Sequence, residues 1–381
     1  MENTDKIDWS KRVRPHLLEL TAYVPGITEE KLQRDTGLTS IYKYSSNEAP
    51  LPPSPNIVKA MQAVLAGVHR YPDSHALLTA LSNVLAVPVE SLILGNGSID
   101  LIEALVHLFV GPGSNVVLSE YGYSAYPAIV KAQQASIRLA PSGADFGHDV
   151  DALLAQIDDE TRMILMDSPT NMSGKLVDSA ALHRFLSSVP SQVVVVLDEA
   201  YVEYVISTDG DSTHNLPLHH SNVVVTRTFS KAYGLAGLRV GYAIANPELL
   251  NYLHRIRPPF PVGSISIAAA MAALTDREHI DRIVEITQEG RRKLCLALQS
   301  YGIEVIEGQG NFVLANFGAR ATTVYQQLLD RGFITRAMYS YGKPDHVRIS
   351  IGNEVEMAQL SACIGQLING AISRREQIEH S

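Results

Sequence analysis

Residues 226–241 read Thr226-Arg-Thr-Phe-Ser-Lys-Ala-Tyr-Gly-Leu-Ala-Gly-Leu-Arg-Val-Gly241, and the apolar run Val223-Val224-Val225 leads into them. Lys231 stands among hydroxyls (Thr226, Thr228, Ser230) and glycines (Gly234, Gly237, Gly241), and Arg239 follows it. A lysine among small residues just past a buried strand has little structural reason to be there. Small neighbours leave room for a ligand, and the amine can condense with a carbonyl. An arginine close by can fork onto a phosphate. The stretch therefore suits an aldehyde that carries a phosphate.

Outward from this stretch the same pattern recurs. Short, continuous, valine-rich runs each end in a polar cluster. Val116 to Leu118 precedes Tyr121-Gly-Tyr-Ser-Ala-Tyr126, and Met163 to Met166 precedes Asp167-Ser-Pro-Thr-Asn-Met-Ser-Gly174. Val193 to Leu197 precedes Asp198-Glu-Ala-Tyr201, and Leu92 to Leu94 precedes Gly95-Asn-Gly-Ser98. Strands buried on both faces of a helix-covered, mostly parallel sheet read this way, which gives an α/β fold. In such sheets ligands sit beyond the carboxyl ends of the strands, where every one of these clusters falls. After Ser98 the apolar positions Leu101, Ile102, Leu105, Leu108 and Phe109 follow helical spacing. A glycine turn into a helix aims free N–H groups and a positive dipole end at an anion. An ordinary βα turn looks the same, so this stretch alone decides nothing.

The flanks read differently. Residues 1–45 alternate polar and short apolar pieces, with a turn at Tyr23-Val-Pro-Gly26, and form an N-terminal arm. Pro50, Pro52, Pro53 and Pro55 forbid regular helix before a helical pattern at Ile57, Val58, Met61, Val64 and Leu65 that ends at Gly67. A second helix spans about 75–86. Beyond the Pro258-Pro259-Phe260-Pro261 break come a long helical region around 265–300, strand-like pieces at 303–306, 312–314 and 346–351, a final helix at about 354–373, and a polar, frayed tail from Arg374. The division is an arm (1–45), a large domain (46–258) and a smaller C-terminal α/β domain (259–381), since 381 residues exceed one core.

Composition narrows the function classes. A net charge of −9 argues against nucleic acid or an anionic membrane as the main partner. No apolar run approaches the ~20 residues that span a bilayer, and the first residues are polar and acidic, unlike a signal peptide. Cys295 and Cys363 give neither a disulfide framework nor metal-ligand spacing, which suits a reducing cytoplasm.

Pyridoxal 5′-phosphate is an aldehyde with a phosphate, and it needs four kinds of partner. Lys231 supplies the amine. Asp198, at a buried strand end, would pair with the protonated pyridine nitrogen and raise that nitrogen's pKa. Asn171 and Tyr201 can donate to the phenolic oxygen. Arg239, Thr228, Ser230 and backbone N–H groups near Gly97, Ser98 and Ile99 make the phosphate cup, and Tyr123 could cover the ring face. Singly, each residue has a structural use: Asp198 and Asn171 in turns, Tyr201 in the core, Arg239 and Lys231 as solvated charges. Jointly, all five types in workable order favour the cofactor.

Asn171, Asp198-Glu-Ala-Tyr201, Ser230-Lys231 and Arg239 resemble the fold-type I pyridoxal phosphate aminotransferases. Leu20-Thr-Ala-Tyr-Val-Pro-Gly26, Ser46-Asn-Glu-Ala-Pro50, Arg70-Tyr-Pro-Asp73, Gly95-Asn-Gly-Ser98, Asn311-Phe-Val-Leu314 and Val347-Arg-Ile-Ser-Ile-Gly352 are similar to the histidinol-phosphate aminotransferase family. These stretches cover nearly the whole chain. The resemblance implies a large domain with a mostly parallel seven-stranded sheet between helices. It implies transamination of histidinol phosphate with 2-oxoglutarate in a cytoplasmic homodimer. Tyr71 would reach the cofactor phosphate of the neighbouring subunit, while Tyr23, Asn47, Arg336 and Arg348 would bind substrate. Several substitutions depart from the family pattern: Met172 replaces a proline in the turn after Asn171, Ile99 replaces the first acid after Ser98, and Ala49 and Pro52 stand where asparagine and glycine are usual. Two same-scaffold rivals stay open, an aromatic or other amino acid aminotransferase and a threonine-phosphate decarboxylase. A non-catalytic cofactor-binding regulator is a distant third, since the chain shows no DNA-binding extension.

Overall fold

The computed structural model describes residues 7–21, 26–206 and 213–379, and the side chains of 370–379 are left aside. Among the described residues the strands form three sheets. A seven-stranded sheet combines β2 (Leu92–Gly95), β3 (Asn115–Ser119), β4 (Ser136–Ala140), β5 (Thr161–Asp167), β6 (Val194–Asp198), β7 (Val223–Thr228) and β8 (Gly241–Ile244), in the spatial order β2-β8-β7-β6-β5-β3-β4. All pairings from β4 across to β7 are parallel. β8 runs antiparallel to both of its neighbours.

The valine-rich runs behave as strands with two buried faces. Val117, Ile164, Val195 and Val225 pack into one apolar cluster, and Val116, Met163, Leu165, Val196 and Val224 into the cluster on the other face. Each such side chain contributes roughly 1.5–3 kcal/mol on leaving water, so the sheet forms a rigid platform whose carboxyl edge carries the polar clusters. β4 and β8 were not read from sequence. β4 is an edge strand that leaves Ser136 and Leu139 exposed, and β8 is short and runs directly out of the lysine stretch.

Helix Pro55–Val64 starts at Ser54, whose hydroxyl accepts the Ile57 N–H, with proline in the first turn. Helix Ser264–Thr275 packs against it and against His75–Leu85 through small residues, Ala269, Ala270 and Ala273. This helix follows the proline break at 258–261, yet its core is that of the large sheet.

The smaller C-terminal domain is built on an antiparallel sheet of β9 (Glu304–Ile306), β10 (Phe312–Asn316), β12 (Arg336–Met338) and β13 (Lys343–Ser350), in the order β12-β13-β10-β9. Helices Arg277–Ser300 and Ala321–Leu329 and the closing helix cover it. β1 (Tyr42–Lys43) pairs in parallel with β11 (Phe333–Ile334). Leu32 packs with Leu329 and Ile334, so the N-terminal segment docks on this domain. The closing helix runs from Glu354 to Glu379, which corrects the frayed tail expected from Arg374. That stretch lacks glycine and proline and is rich in Arg, Glu and Gln, all good helix formers. Among the described residues, no helix is long and apolar enough to cross a membrane.

Candidate active site

The carboxyl ends of β5, β6 and β7, with the turns after β2 and β3, close around one pocket. Ser98, Ile99, Tyr123, Asn171, Asp198, Tyr201, Thr228, Ser230, Lys231 and Arg239 line it, together with Asp167 and Ala200. The sheet brings them together because all lie at or just after the ends of five of its strands.

Lys231 leaves β7 through the tight Phe229–Leu235 loop, where its carbonyl accepts the Gly234 N–H. Its Nζ donates to the Ser46 carbonyl at 3.1 Å and lies 5.6 Å from the Tyr201 ring centroid. Its pKa falls to about 8, through burial first and then the positive charge of Arg348. An amine poised this way is a far better nucleophile at neutral pH than a solvated lysine.

Asp198 ends β6 and is buried. Oδ2 accepts the Tyr126 hydroxyl at 3.1 Å and Oδ1 the Thr226 hydroxyl at 3.2 Å. Burial, and then the charge of Asp167, push its pKa up to about 7. A cation placed against it would reverse that shift. The next residue, Glu199, turns away and pairs with Arg227 at 2.8 Å, so its charge is met behind the pocket.

Tyr201 accepts two hydrogen bonds on its hydroxyl, from Asn171 Nδ2 at 2.7 Å and Asn47 Nδ2 at 2.9 Å. With its lone pairs so used, its own O–H is left to donate. Asn171 is oriented in turn: its Oδ1 accepts from Tyr341 at 3.0 Å and Arg348 at 2.9 Å. Burial raises the Tyr201 pKa, so the phenol keeps its proton.

The anion cup is built at the start of helix Ser98–Phe109. Gly97 caps that helix with a positive φ and no side-chain acceptor. The guanidinium of Arg239 lies where a Gly97 Cβ would sit, and a Gly241 Cβ would strike the Ser98 nitrogen. Arg239, itself left-handed, donates to Ser230 Oγ at 3.2 Å, and Ser230 is held by Thr228 at 2.9 Å. Donors of this kind, fixed around a helix N-terminus, fit a phosphate dianion.

The residues expected at the substrate side fall in several places. Asn47 is buried with a positive φ, and its N–H reaches Ser350 at 2.8 Å. Arg348 and Arg336 face each other across β13 and β12. Arg348 donates to the Asn171 carbonyl at 2.6 Å, and its Nε has no partner among the described residues. Tyr23 lies outside the described residues. Tyr71 is not in this pocket: it is 82% exposed and stacks on Phe260 at 4.5 Å.

Reading the sequence missed Asp167, Tyr126, Tyr341, Asn311 and Ser350. Asp167 and Tyr126 stand in the quoted polar clusters, so their strand-end position was the available signal. Asn311 donates to the Asn47 carbonyl at 3.0 Å, and in the sequence only its place in the family-like stretch Asn311–Leu314 marks it. No local pattern links Tyr341 or Ser350 to a pocket far away in sequence.

The donor set passes the test for pyridoxal phosphate on its own chemistry: a buried carboxylate, a phenol and amide pair, an amine and an anion cup surround one space. An enzyme that presents them on this sheet is a fold-type I pyridoxal phosphate-dependent transferase. The family Aminotransferase class I and II matches residues 39–364. The chain is 42% identical over 348 residues to the histidinol-phosphate aminotransferase of Akkermansia muciniphila, covering 90% of this chain and 95% of that one. It is 40% identical over 342 residues to histidinol-phosphate aminotransferase 1 of Nitrosococcus oceani, covering 89% and 92%. Among solved structures, the histidinol-phosphate aminotransferase of Sinorhizobium meliloti in complex with pyridoxal-5′-phosphate superposes with a TM-score of 0.85 at 27% identity, covering 94% and 98%. The aspartate aminotransferase of Thermus thermophilus with maleate shares the fold, with a TM-score of 0.81 at 18% identity, covering 93% and 99%. The chain belongs to the class I and II aminotransferase family.

Proposed function

We propose that the protein transfers the amino group of L-histidinol phosphate to 2-oxoglutarate, giving imidazole-acetol phosphate and L-glutamate in histidine biosynthesis. The observation that carries this reading is that Lys231 lines the pocket while Arg348 stands behind its wall, bonded to Asn171 and close enough for its charge to depress the lysine's pKa. An amine and an anion receptor so placed suit a substrate with an amino group and an anionic end. The names of the relatives specify which one.

Bound here, pyridoxal phosphate would supply an aldehyde and an electron-accepting ring. Lys231 would hold that aldehyde, then, once displaced, take the proton from the substrate's amine-bearing carbon and return it as general base and acid. Asp198 would keep a proton on the ring nitrogen. Tyr201, aimed by Asn171 and Asn47, would donate to the phenolic oxygen, and Tyr123 would cover the ring. Arg239, Ser230, Thr228 and the N–H groups of Ser98 and Ile99 would hold the phosphate. Arg348 and Arg336, with Tyr23 from the partner's arm, would hold the substrate's anionic end, and Asn47 would line the substrate side.

The working unit in this reading is a cytoplasmic homodimer of arm, large domain and small domain. Tyr71, exposed and outside its own pocket, would complete the partner's phosphate cup. Side-by-side rates with histidinol phosphate, phenylalanine and threonine phosphate, each with 2-oxoglutarate, test the substrate. Histidinol phosphate should give the highest kcat/KM, and a higher value for either rival overturns the assignment.

A further inference from the structure

Asp167 and Asp198 end neighbouring parallel strands at the same register. They are 2% and 5% exposed, and both line the pocket. Two carboxylates side by side and out of water are costly unless each has its own donors. Asp198 has the hydroxyls of Tyr126 and Thr226. Asp167 has a different set. Its Oδ1 accepts the Tyr123 N–H at 3.1 Å, and its Oδ2 accepts the Asn171 N–H at 2.5 Å. His148 Nε2 lies 3.3 Å from Oδ1 and 2.8 Å from the Asp167 carbonyl oxygen.

His148 is fully enclosed, on a bridge between His148 and Ser142. Its Nδ1 has no partner among the described residues. A histidine kept buried with one nitrogen unpaired has its other nitrogen committed, here to Asp167. The carboxylate thus ties together three segments: the turn after β3 that carries Tyr123, the turn after β5 that carries Asn171, and the bridge that carries His148.

We propose that Asp167, backed by His148, is a positioning carboxylate for the cofactor: it fixes the loops of Tyr123 and Asn171 and stands as a second anion beside Asp198. The inference rests on the functional reading above, which assigns the ring to those residues. Its charge acts on Asp198, whose pKa is raised by burial first and by Asp167 second. Tyr126 bonds to Asp198, Tyr201 and Lys231 lie within reach of its charge, and Glu199, although its carboxylate turns away to Arg227, still adds a negative charge nearby.

The test is equilibrium titration of the full-length apoprotein with pyridoxal phosphate from about pH 5 to about pH 9, a span that brackets the raised carboxyl. Below the proton affinity of Asp198 the carboxyl is neutral and cannot pair with a cationic ring nitrogen, so affinity falls on the acid side. Asp167→Asn removes one negative neighbour. The acid limb should therefore move to lower pH, and the loss of one of the two N–H ties, since an amide offers a single acceptor oxygen, should weaken binding roughly tenfold at pH values above that limb. Asp167→Ser, which keeps an acceptor without charge, carries the same expectation if the first variant does not fold. An acid limb that stays where it is in the wild type, or an unchanged affinity, overturns the inference while leaving the transaminase reading intact. A wild-type protein that takes up no cofactor overturns both.

Discussion

Lys231 Nζ donates to the carbonyl oxygen of Ser46 at 3.1 Å, a bond that spans 185 positions of sequence. The segment that accepts it is itself held from three sides. Asn311 Nδ2 donates to the Asn47 carbonyl, Asn47 N–H donates to Ser350 Oγ, and Asn47 Nδ2 donates to the Tyr201 hydroxyl. The acceptor is a neutral carbonyl. The ammonium is therefore poorly compensated, and burial and Arg348 bring its pKa down to about 8.

That pKa sets the pH dependence of cofactor capture. The neutral amine is the nucleophile, and its fraction rises as pH passes through about 8. Near pH 7 roughly a tenth of it is neutral, against well under a hundredth for an ordinary lysine. The second-order rate of pyridoxal phosphate uptake by apoprotein, followed by stopped-flow absorbance, should climb to just above pH 8 and then level. A rate still climbing through pH 10 would mean that Lys231 titrates as a solvated side chain.

Asp198 trades stability for binding. Its pKa in the folded protein is raised from 3.8 to about 7. A carboxyl raised on folding stabilises the protein below its unfolded pKa, and that contribution is lost as pH rises through the folded value. At pH 8 the wild-type apoprotein thus carries an uncompensated charge that Asp198→Asn lacks. The variant apoprotein should be more stable at pH 8 by about 1–3 kcal/mol, with the difference shrinking toward pH 5. Its turnover should fall about 10³-fold. Thermal unfolding at the two pH values and steady-state kinetics check both halves.

Gly97→Ala should damage the phosphate cup without touching the chemistry. A Cβ there meets the Arg239 guanidinium, and the backbone is left-handed at φ 85°. The substitution should cost about 1–2 kcal/mol of stability and weaken cofactor affinity roughly tenfold or more. Calorimetric titration of the apoprotein measures it. Normal affinity would show that Arg239 does not serve the phosphate.

The two facing arginines should separate by kinetic signature. Arg348 holds Asn171 through both its carbonyl and Oδ1, while Arg336 stands on the neighbouring strand. Both Arg348→Gln and Arg336→Gln should raise KM for the anionic substrate, by roughly 10- to 100-fold. Only Arg348→Gln should also lower kcat, because it releases the residue that aims Tyr201. Equal kcat losses in the two variants would contradict this division.

The platform was more legible than the wiring. β5, β6 and β7 announce themselves as continuous valine-rich runs because both faces are buried, and the chemistry sits directly at their ends. The ten pocket residues first associated with the cofactor lie on strand ends or in the lysine stretch. Asp167 also sits at a strand end, but it precedes Ser168-Pro169 and looks like a turn residue. Only its position beside Asp198 in the folded sheet gives it meaning. Tyr341, Asn311 and Ser350 belong to the smaller domain, and no local spacing ties them to Asn171, Asn47 or Tyr201. The closing helix outran its expected end because polarity was read as fraying, although Arg, Glu and Gln favour helix.

The central claim is that Lys231 is the residue that joins the cofactor. Borohydride reduction of the loaded protein fixes the cofactor to the amine it is attached to, and peptide mass spectrometry then locates it. The added mass is predicted on the peptide that contains Lys231, and on none in Lys231→Ala. A label on any other lysine, or a Lys231→Ala variant that still carries the label and turns over, would contradict the account.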